Sequence, residues 1–311
     1  DLNWRNPEVQ QAMLNVMRIW LDKGVDGFRV DVMWHMIKDD QFRNNPVNPD
    51  YDGKGSPYDQ LIPAFSTDQP EVHQIVEMMR NLLNRYEDRV LIGEIYLPID
   101  KLVTYYGQNN QEAHLPFNFS LIELPWDAKR IEAAVDEYEG SLPADGWPNW
   151  VLGNHDKSRI ATRVGEKQAR IAAILLLSLK GTPTMYYGDE IGMTDVEIPK
   201  DKIHDPREKN VPGRGLNRDP ERTPMQWDDS KFAGFSDSEP WLPLMDNYQE
   251  VNVQKETDDP ESILNFYLRL IKLRQQEPAL HIGDYIPVTS EGNLFTYLRV
   301  FNKDKFLIIL N

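Results

Sequence analysis

Cysteine is absent from all 311 residues. That excludes disulfides and thiolate metal sites, although it does not fix the redox compartment. Long apolar runs are absent too: the longest, Ile171 to Leu179, is far shorter than the roughly 20 residues a membrane-spanning helix needs. Positive charge is in deficit, with 34 Lys and Arg against 50 Asp and Glu for a net charge of -16. Such a chain repels phosphates, so nucleic acid is not an expected partner. No strand is followed by a Gly-rich phosphate turn, and there is neither a P-loop lysine motif nor a Gly-x-Ser-x-Gly elbow, which lowers the nucleotide and serine-hydrolase readings. The chain starts at Asp1 with no initiator Met or leader-like segment. Its true beginning is therefore expected upstream, where any signal peptide would lie, and the location expected is cytoplasmic.

What is present is ordinary globular material, 40% hydrophobic and 27% charged, enough for one large domain and a small one. Pro7, an apolar pattern at Met13, Val16, Met17 and Trp20, and a closing Gly24 predict an amphipathic helix. A strand over Val25 to Val32 follows, then a long polar loop over 38–69. Val72, Ile75, Val76, Met79, Leu82 and Leu83 predict a second helix, leading into the strand Val90 to Glu94. The alternation continues with a helix near Ile99 to Tyr106, a strand at Leu115 to Leu121, a helix over Lys129 to Tyr138, a strand at Trp150 to Leu152, a helix over Ala169 to Leu179 and a strand at Thr184 to Tyr187. Strands alternating with helices mean parallel pairing, hence an α/β sheet covered on both faces. A second long loop, 192–243, and a helix over Pro260 to Gln275 complete this part. Tyr285 to Val288, Leu294 to Phe301 and Phe306 to Leu310 are spaced as antiparallel strands. The domain expectation is thus an α/β body over 1–277 and the start of a small β domain over 278–311.

Acids fall at equivalent places in this pattern. Gly27-Phe28-Arg29-Val30-Asp31-Val32 carries an arginine and an aspartate on one face of a strand, Glu94 ends the next, and Gly153-Asn154-His155-Asp156 follows the strand at Trp150. The carboxyl ends of parallel strands share one face, where sites are built, so the three acids are expected to converge. Neighbouring strands lie about 4.8 Å apart, which suits the roughly 5 to 5.5 Å between the two carboxyl groups of a retaining glycosidase. Each residue also has a plainer reading: an ion pair for Arg29 and Asp31, a strand-end acid for Glu94, a structural His155, and a helix cap for Asp156. The metal reading is set aside, because there is no helix-borne His pair, and Asn48 to Gly53, though rich in oxygen donors, lacks the later Glu of a calcium loop.

Gly27 to Asp31, Gly93-Glu94 and Asn154-His155-Asp156 resemble three signature regions of the α-amylase glycoside hydrolase family (family 13). Asp1-Leu2-Asn3 resembles the tail of another, and Arg222-Thr223-Pro224-Met225-Gln226-Trp227 a stretch of the α-glucosidase and oligo-1,6-glucosidase-like branch. The resemblance implies a retaining double displacement on a (β/α)8 TIM barrel. It makes Asp31 the nucleophile, Glu94 the general acid/base and Asp156 the transition-state stabiliser. Arg29 would orient and ionise Asp31, and His155, Arg218 and Arg222 would reach the sugar. Trp34, Tyr51, Phe117 and Tyr187 offer apolar faces for sugar rings, with core packing as their ordinary role. The resemblance further implies that the chain holds about strands four to eight of the barrel, the C-terminal half, and that it is a poorly active fragment. It needs no cofactor, any structural calcium belonging to the preceding part. The expected substrate is a short oligosaccharide cleaved exo-fashion. Val32, directly after the nucleophile, resembles α-1,6-cleaving members, whereas Met33-Trp34-His35 does not. Two alternatives stay open: a trehalose- or sucrose-type isomerase or transglycosylase of the same fold, and a non-catalytic barrel relative.

Overall fold

The computed structural model describes residues 1–311, and the chain divides into two compact units. One is Asp1–Phe119 with Glu137–Asn149, the other Ser120–Asp136 with Trp150–Asn311. The first unit opens on the helix Pro7–Asp22, capped by Asn6, whose side chain accepts the Glu8 N–H at 2.9 Å, with proline in the first turn where no N–H is missed. Its buried stripe is Met17 and Leu21, while Val16 and Trp20, expected inside, are exposed. Trp20 instead lies under the Lys23 ammonium. The helix Val72–Leu83 behaves as its spacing predicts, with all six of the positions singled out above buried.

Between these helices runs β1 (Gly27–Val30), which pairs in parallel with β2 (Val90–Gly93); β2 in turn pairs in parallel with β3 (Leu115–Pro116). The β1–β2 register sets Gly27 opposite Val90 and Val30 opposite Gly93. Asp31 and Glu94 are therefore the first residues beyond paired positions of neighbouring strands. β3 is shorter than the expected Leu115 to Leu121: Pro116 has no N–H to extend a ladder, and Ser120–Glu123 is helical. The polar stretch 38–69 holds a 3-10 turn at Pro57–Gln60 and an antiparallel bridge between Val47 and Leu61.

β4 (Asn149–Val151), whose Trp150 and Val151 belong to the second unit, pairs with β5 (Thr182–Thr184). The strand expected at Thr184 to Tyr187 thus ends where it was expected to begin. Tyr186 and Tyr187 turn away and donate their hydroxyls to the carbonyls of Glu221 and Thr223 at 3.0 and 2.7 Å. The helix Glu166–Ser178 packs Ala169, Ala173 and Leu177 against Ile263 and Tyr267 of the helix Ile263–Gln276. The tail forms an antiparallel sheet of β6 (Asp284–Val288), β7 (Phe295–Phe301) and β8 (Asp304–Leu310). Fully buried Arg299 fastens it by donating to the carbonyls of Ser178 at 2.6 Å and Gly283 at 2.8 Å. The chain is thus α/β with a C-terminal antiparallel sheet, and no helix is long and apolar enough to cross a membrane.

Gly27 makes the close approach of β1 to β2 possible, since a Cβ there would lie 2.0 Å from the carbonyl oxygen of Val90. Gly27→Ala should cost about 3 kcal/mol, as overpacking against rigid backbone does. Gly140→Ala, in a helix with nothing within 4 Å of the added carbon, should instead stabilise by about 0.5 to 1 kcal/mol. Urea midpoints of the two variants check both signs.

Candidate active site

Each unit carries one cluster of the residues singled out by sequence. In the first, Arg29 bridges two carboxylates. Its Nη1 donates to Oδ1 of Asp31 in a short contact, and its Nη2 lies 3.0 Å from Oε2 of Glu94. The backbone N–H of Val32 donates to the same Oε2 at 2.9 Å. That geometry depends on Val32 adopting a left-handed backbone, φ 39° and ψ 48°, a conformation in which a β-branched residue is an outlier. Gly93 completes the turn, because a Cβ there would press to 2.8 Å from Sδ of buried Met33.

The two acids are placed in opposite environments. The Asp31 side chain is 73% exposed and that of Glu94 only 6%. Burial pushes the Glu94 carboxyl above its ordinary range; the Val32 N–H and the Arg29 charge oppose this, and Asp31 adds to it by charge and by a hydrogen bond. The net direction is upward. Next to this cluster, Tyr96 stacks on Phe119 at 4.1 Å between centroids, and Phe117 meets Phe119 edge-on. Trp34 is buried, while Tyr51 and Phe117 are half-buried.

The second unit gathers His155, Asp156, Arg218 and Arg222. Both arginines bind one oxygen: Nη1 of Arg218 and Nη2 of Arg222 donate to Oδ1 of Asp156 at 2.8 and 2.6 Å. Nε of Arg222 also donates to the His155 carbonyl at 2.6 Å, which ties the arginine to the turn bearing the aspartate. The His155 ring stands 3.7 Å from the same Oδ1, and Asn154 shapes the turn by accepting the Asp156 N–H at 2.9 Å. Burial pushes the Asp156 carboxyl up, but His155, Arg218 and Arg222 together outweigh it, and the net direction is downward. Asp156 is not the cap of the following helix. The N-cap of the helix Ile160–Val164 is Arg159, with no side-chain cap bond, and the Arg159 N–H itself donates to Asp195 at 2.8 Å.

Sequence reasoning missed two residues behind this cluster. Asp205, whose side chain is fully buried, accepts Nε, Nη2 and the backbone N–H of Arg218, each at 2.8 Å, and the N–H of Arg207 at 3.0 Å. Asp219 returns the contact, its Oδ2 accepting the N–H groups of His204 and Asp205 at 2.6 and 2.9 Å. The only signal was Asp205-Pro206, the signature of a helix start, which says nothing of an arginine thirteen residues on. On the other side of Arg222 lies a cavity of about 580 Å³ walled by Tyr187, Met225, Trp227, Phe235 and Trp241.

Comparison with known proteins adds a family. The model of the α-amylase catalytic domain matches residues 1–283. An α-glucosidase of Culex pipiens is 35% identical over 326 residues, covering 100% of this chain and 53% of its own. An oligo-1,6-glucosidase of Halalkalibacterium halodurans is 33% identical, covering 100% and 61%. Among solved structures, the α-glucosyl transfer enzyme XgtA superposes with a TM-score of 0.93 at 32% identity, over 99% of this chain and 60% of its own. An isomaltulose synthase of Erwinia rhapontici, solved with sucrose, gives 0.85 at 30% identity over 100% and 61%. The chain therefore spans between half and two thirds of the length of these relatives.

Two outcomes follow from the first cluster. A left-handed β-branched residue costs roughly 1 to 2 kcal/mol, so Val32→Gly should raise stability by about 1 kcal/mol, read from denaturant midpoints. The second concerns pH. Glu94 titrates higher in the folded chain than in the unfolded one, so its contribution is complete below the unfolded value, about 4.3, and is lost as pH rises through the folded value. Glu94→Gln has no such proton to lose. Its stability relative to wild type should therefore improve between about pH 4 and pH 7, as thermal unfolding at the two values will show.

Proposed function

The chain belongs to the α-amylase family through its catalytic domain, and on that premise we propose that it is a retaining exo-acting α-glucosidase removing terminal α-linked glucose from short oligosaccharides. The observation that carries this reading is the contrast between Glu94, buried and shifted upward, and the exposed Asp31, joined by one arginine. A buried carboxyl shifted upward beside an exposed one divides naturally into acid and nucleophile. Oε2 of Glu94 is taken by Arg29 and the Val32 N–H, which leaves Oε1 to carry the proton.

In the proposed sequence Glu94 gives that proton to the glycosidic oxygen as the Asp31 carboxylate attacks the anomeric carbon. The C–O bond to the leaving sugar breaks, and a glycosyl-aspartate forms. Water then attacks the same carbon and passes a proton to Glu94 as the C–O bond to Asp31 breaks, releasing glucose with its anomeric configuration retained and the Asp31 carboxylate restored. The transition state is cationic, and an ionised Asp156 is the group assigned to stabilise it. Arg29, ion-paired to Asp31, is assigned to orient its carboxylate, and His155, Arg218 and Arg222 are assigned to the sugar hydroxyls. The aromatic cavity beside Arg222 offers apolar faces for a sugar ring. The fold reading that accompanies this is that β1 to β5 are later strands of a (β/α)8 barrel.

A second reading has specific support. XgtA is a glucosyl transfer enzyme, and the Erwinia rhapontici enzyme is an isomaltulose synthase. Both chemistries need the same glycosyl-enzyme and differ in what intercepts it, a sugar hydroxyl or water. Products from sucrose and from maltose at high concentration separate the two.

In the full-length protein, Glu94→Gln should lower kcat on an α-linked disaccharide by about 10² to 10⁴-fold, the usual share of a general acid. The loss should be smaller on nitrophenyl α-glucoside, whose leaving group needs little protonation. Equal activity of Glu94→Gln and wild type on both substrates would refute the assignment.

A further inference from the structure

The guanidinium of Arg218 is shared unequally. Its Nε and Nη2, the edge that forms a side-on fork, are both taken by Asp205, which also holds the Arg218 backbone N–H. Only Nη1 remains for Asp156, and it makes one bond, to Oδ1. Arg222 adds a second bond to the same Oδ1, its Nε being occupied by the His155 carbonyl. Two guanidinium groups therefore converge on one oxygen of Asp156. The other oxygen, Oδ2, accepts no hydrogen bond from the protein.

An unrestrained arginine beside a carboxylate prefers two parallel N–H···O bonds, one to each oxygen. For Arg218 that arrangement needs Nη2, which Asp205 holds. Asp205 is itself fixed. Its carboxyl is sealed from solvent, it caps the turn at Pro206, and Asp219 clasps its backbone. Burial pushes the Asp205 carboxyl up, but the Arg218 fork and the N–H groups of Arg207 and Arg218 hold it well below the usual carboxylate range, so it stays charged and keeps its hold.

We infer that Asp205 is a positioning residue: by occupying Nε and Nη2 of Arg218 it prevents a full fork on Asp156 and leaves Oδ2 open to accept from a sugar hydroxyl. An ionised carboxylate oxygen is an acceptor only, and hydroxyls are what a sugar presents. The inference rests on the glycosidase reading for its ligand, though the hydrogen-bond geometry stands without it.

The test is Asp205→Asn in the full-length protein, with two readouts. The first is the titration of Asp156, followed by ¹³C NMR of its carboxyl and assigned by the resonance lost in Asp156→Asn. The groups that bear on this carboxyl are His155, Arg218, Arg222 and, with like charge, Glu221. With Nη2 released, Arg218 closes on both oxygens and the Asp156 midpoint moves to lower pH. A residue that merely held the loop in place would let Arg218 drift away, and the midpoint would rise. A midpoint that rises or stays unchanged overturns the inference. The second readout is calorimetric binding of 1-deoxynojirimycin, a glucose-shaped iminosugar. Its Kd should rise about tenfold in Asp205→Asn, the scale of one lost hydrogen bond to a charged group, and an unchanged Kd counts against the role. Binding to the unaltered protein tests the glycosidase reading by itself, so the two failures are distinct. Should Asp205→Asn not fold, ¹⁵N NMR of the wild type decides. A held guanidinium shows separate Nη1 and Nη2 signals through slow rotation about Nε–Cζ, and a single averaged signal overturns the inference.

Discussion

A carboxylate taken out of water must find a partner, and in the two clusters singled out above the main partner is guanidinium. Arg29, Arg218 and Arg222 bind Asp31, Glu94, Asp156 and Asp205. With 50 acids against 34 basic residues, the chain cannot neutralise every carboxylate. At the surface that imbalance costs little, because water screens it. In a buried cluster an unpaired charge costs several kcal/mol or gives way to protonation. Each arginine there serves two acceptors, and how its N–H groups are divided decides which oxygens stay open.

The backbone sets that division before any side chain is placed. Parallel register puts Asp31 and Glu94 just past Val30 and Gly93, opposite one another in β1 and β2, so an arginine at position 29 spans both. Gly27 lets the strands close to this spacing, and Val32 accepts a costly backbone angle that turns its N–H onto Glu94. Strain of that kind persists only where the surroundings over-determine it, and here a ladder on one side and a buried carboxyl on the other do so. The antiparallel tail obeys the same economy. Arg299 and, on the preceding helix, Arg274 are buried among the carbonyls of Leu177 to Gly181, so the orphan carbonyls at a helix end are met by charge-assisted bonds.

How far this was legible in the sequence depended on the reach of each interaction. Arg29 and Asp31 are two residues apart, and Glu94 ends a strand of the same pattern, so alternation and spacing were enough to single them out. The helix Val72–Leu83 was equally plain, because the six apolar positions that fit its period are all buried. The helix Pro7–Asp22 was misread in part: Val16 and Trp20 fit the helical period, yet Met17 and Leu21 are the buried stripe. Periodicity finds a helix face without saying which edge of it packs. Thr182–Thr184 was missed as a strand because the tyrosines after it looked more strand-like. Their hydroxyls, drawn to the carbonyls of Glu221 and Thr223, pull them out of the ladder instead. Asp205 lay inside a long polar loop where nothing distinguishes a buried aspartate from a solvated one. Only the folded chain shows that residues 204–205 and 218–219 clasp each other through both side chains.

The fates of the acids follow from the donors each receives against its burial. Asp205 is sealed, yet it gains a side-on arginine fork and two backbone N–H groups, and it is held far down. Asp156 is partly buried under two arginines and a histidine, and is also held down. Glu94 is nearly as buried as Asp205 but receives one arginine contact and one N–H, beside a second negative group, and it alone moves up. Burial by itself would have raised all three. The donor count separates them: each N–H that an acid gains draws it down against its burial, and the acid with the fewest donors is the one that moves up.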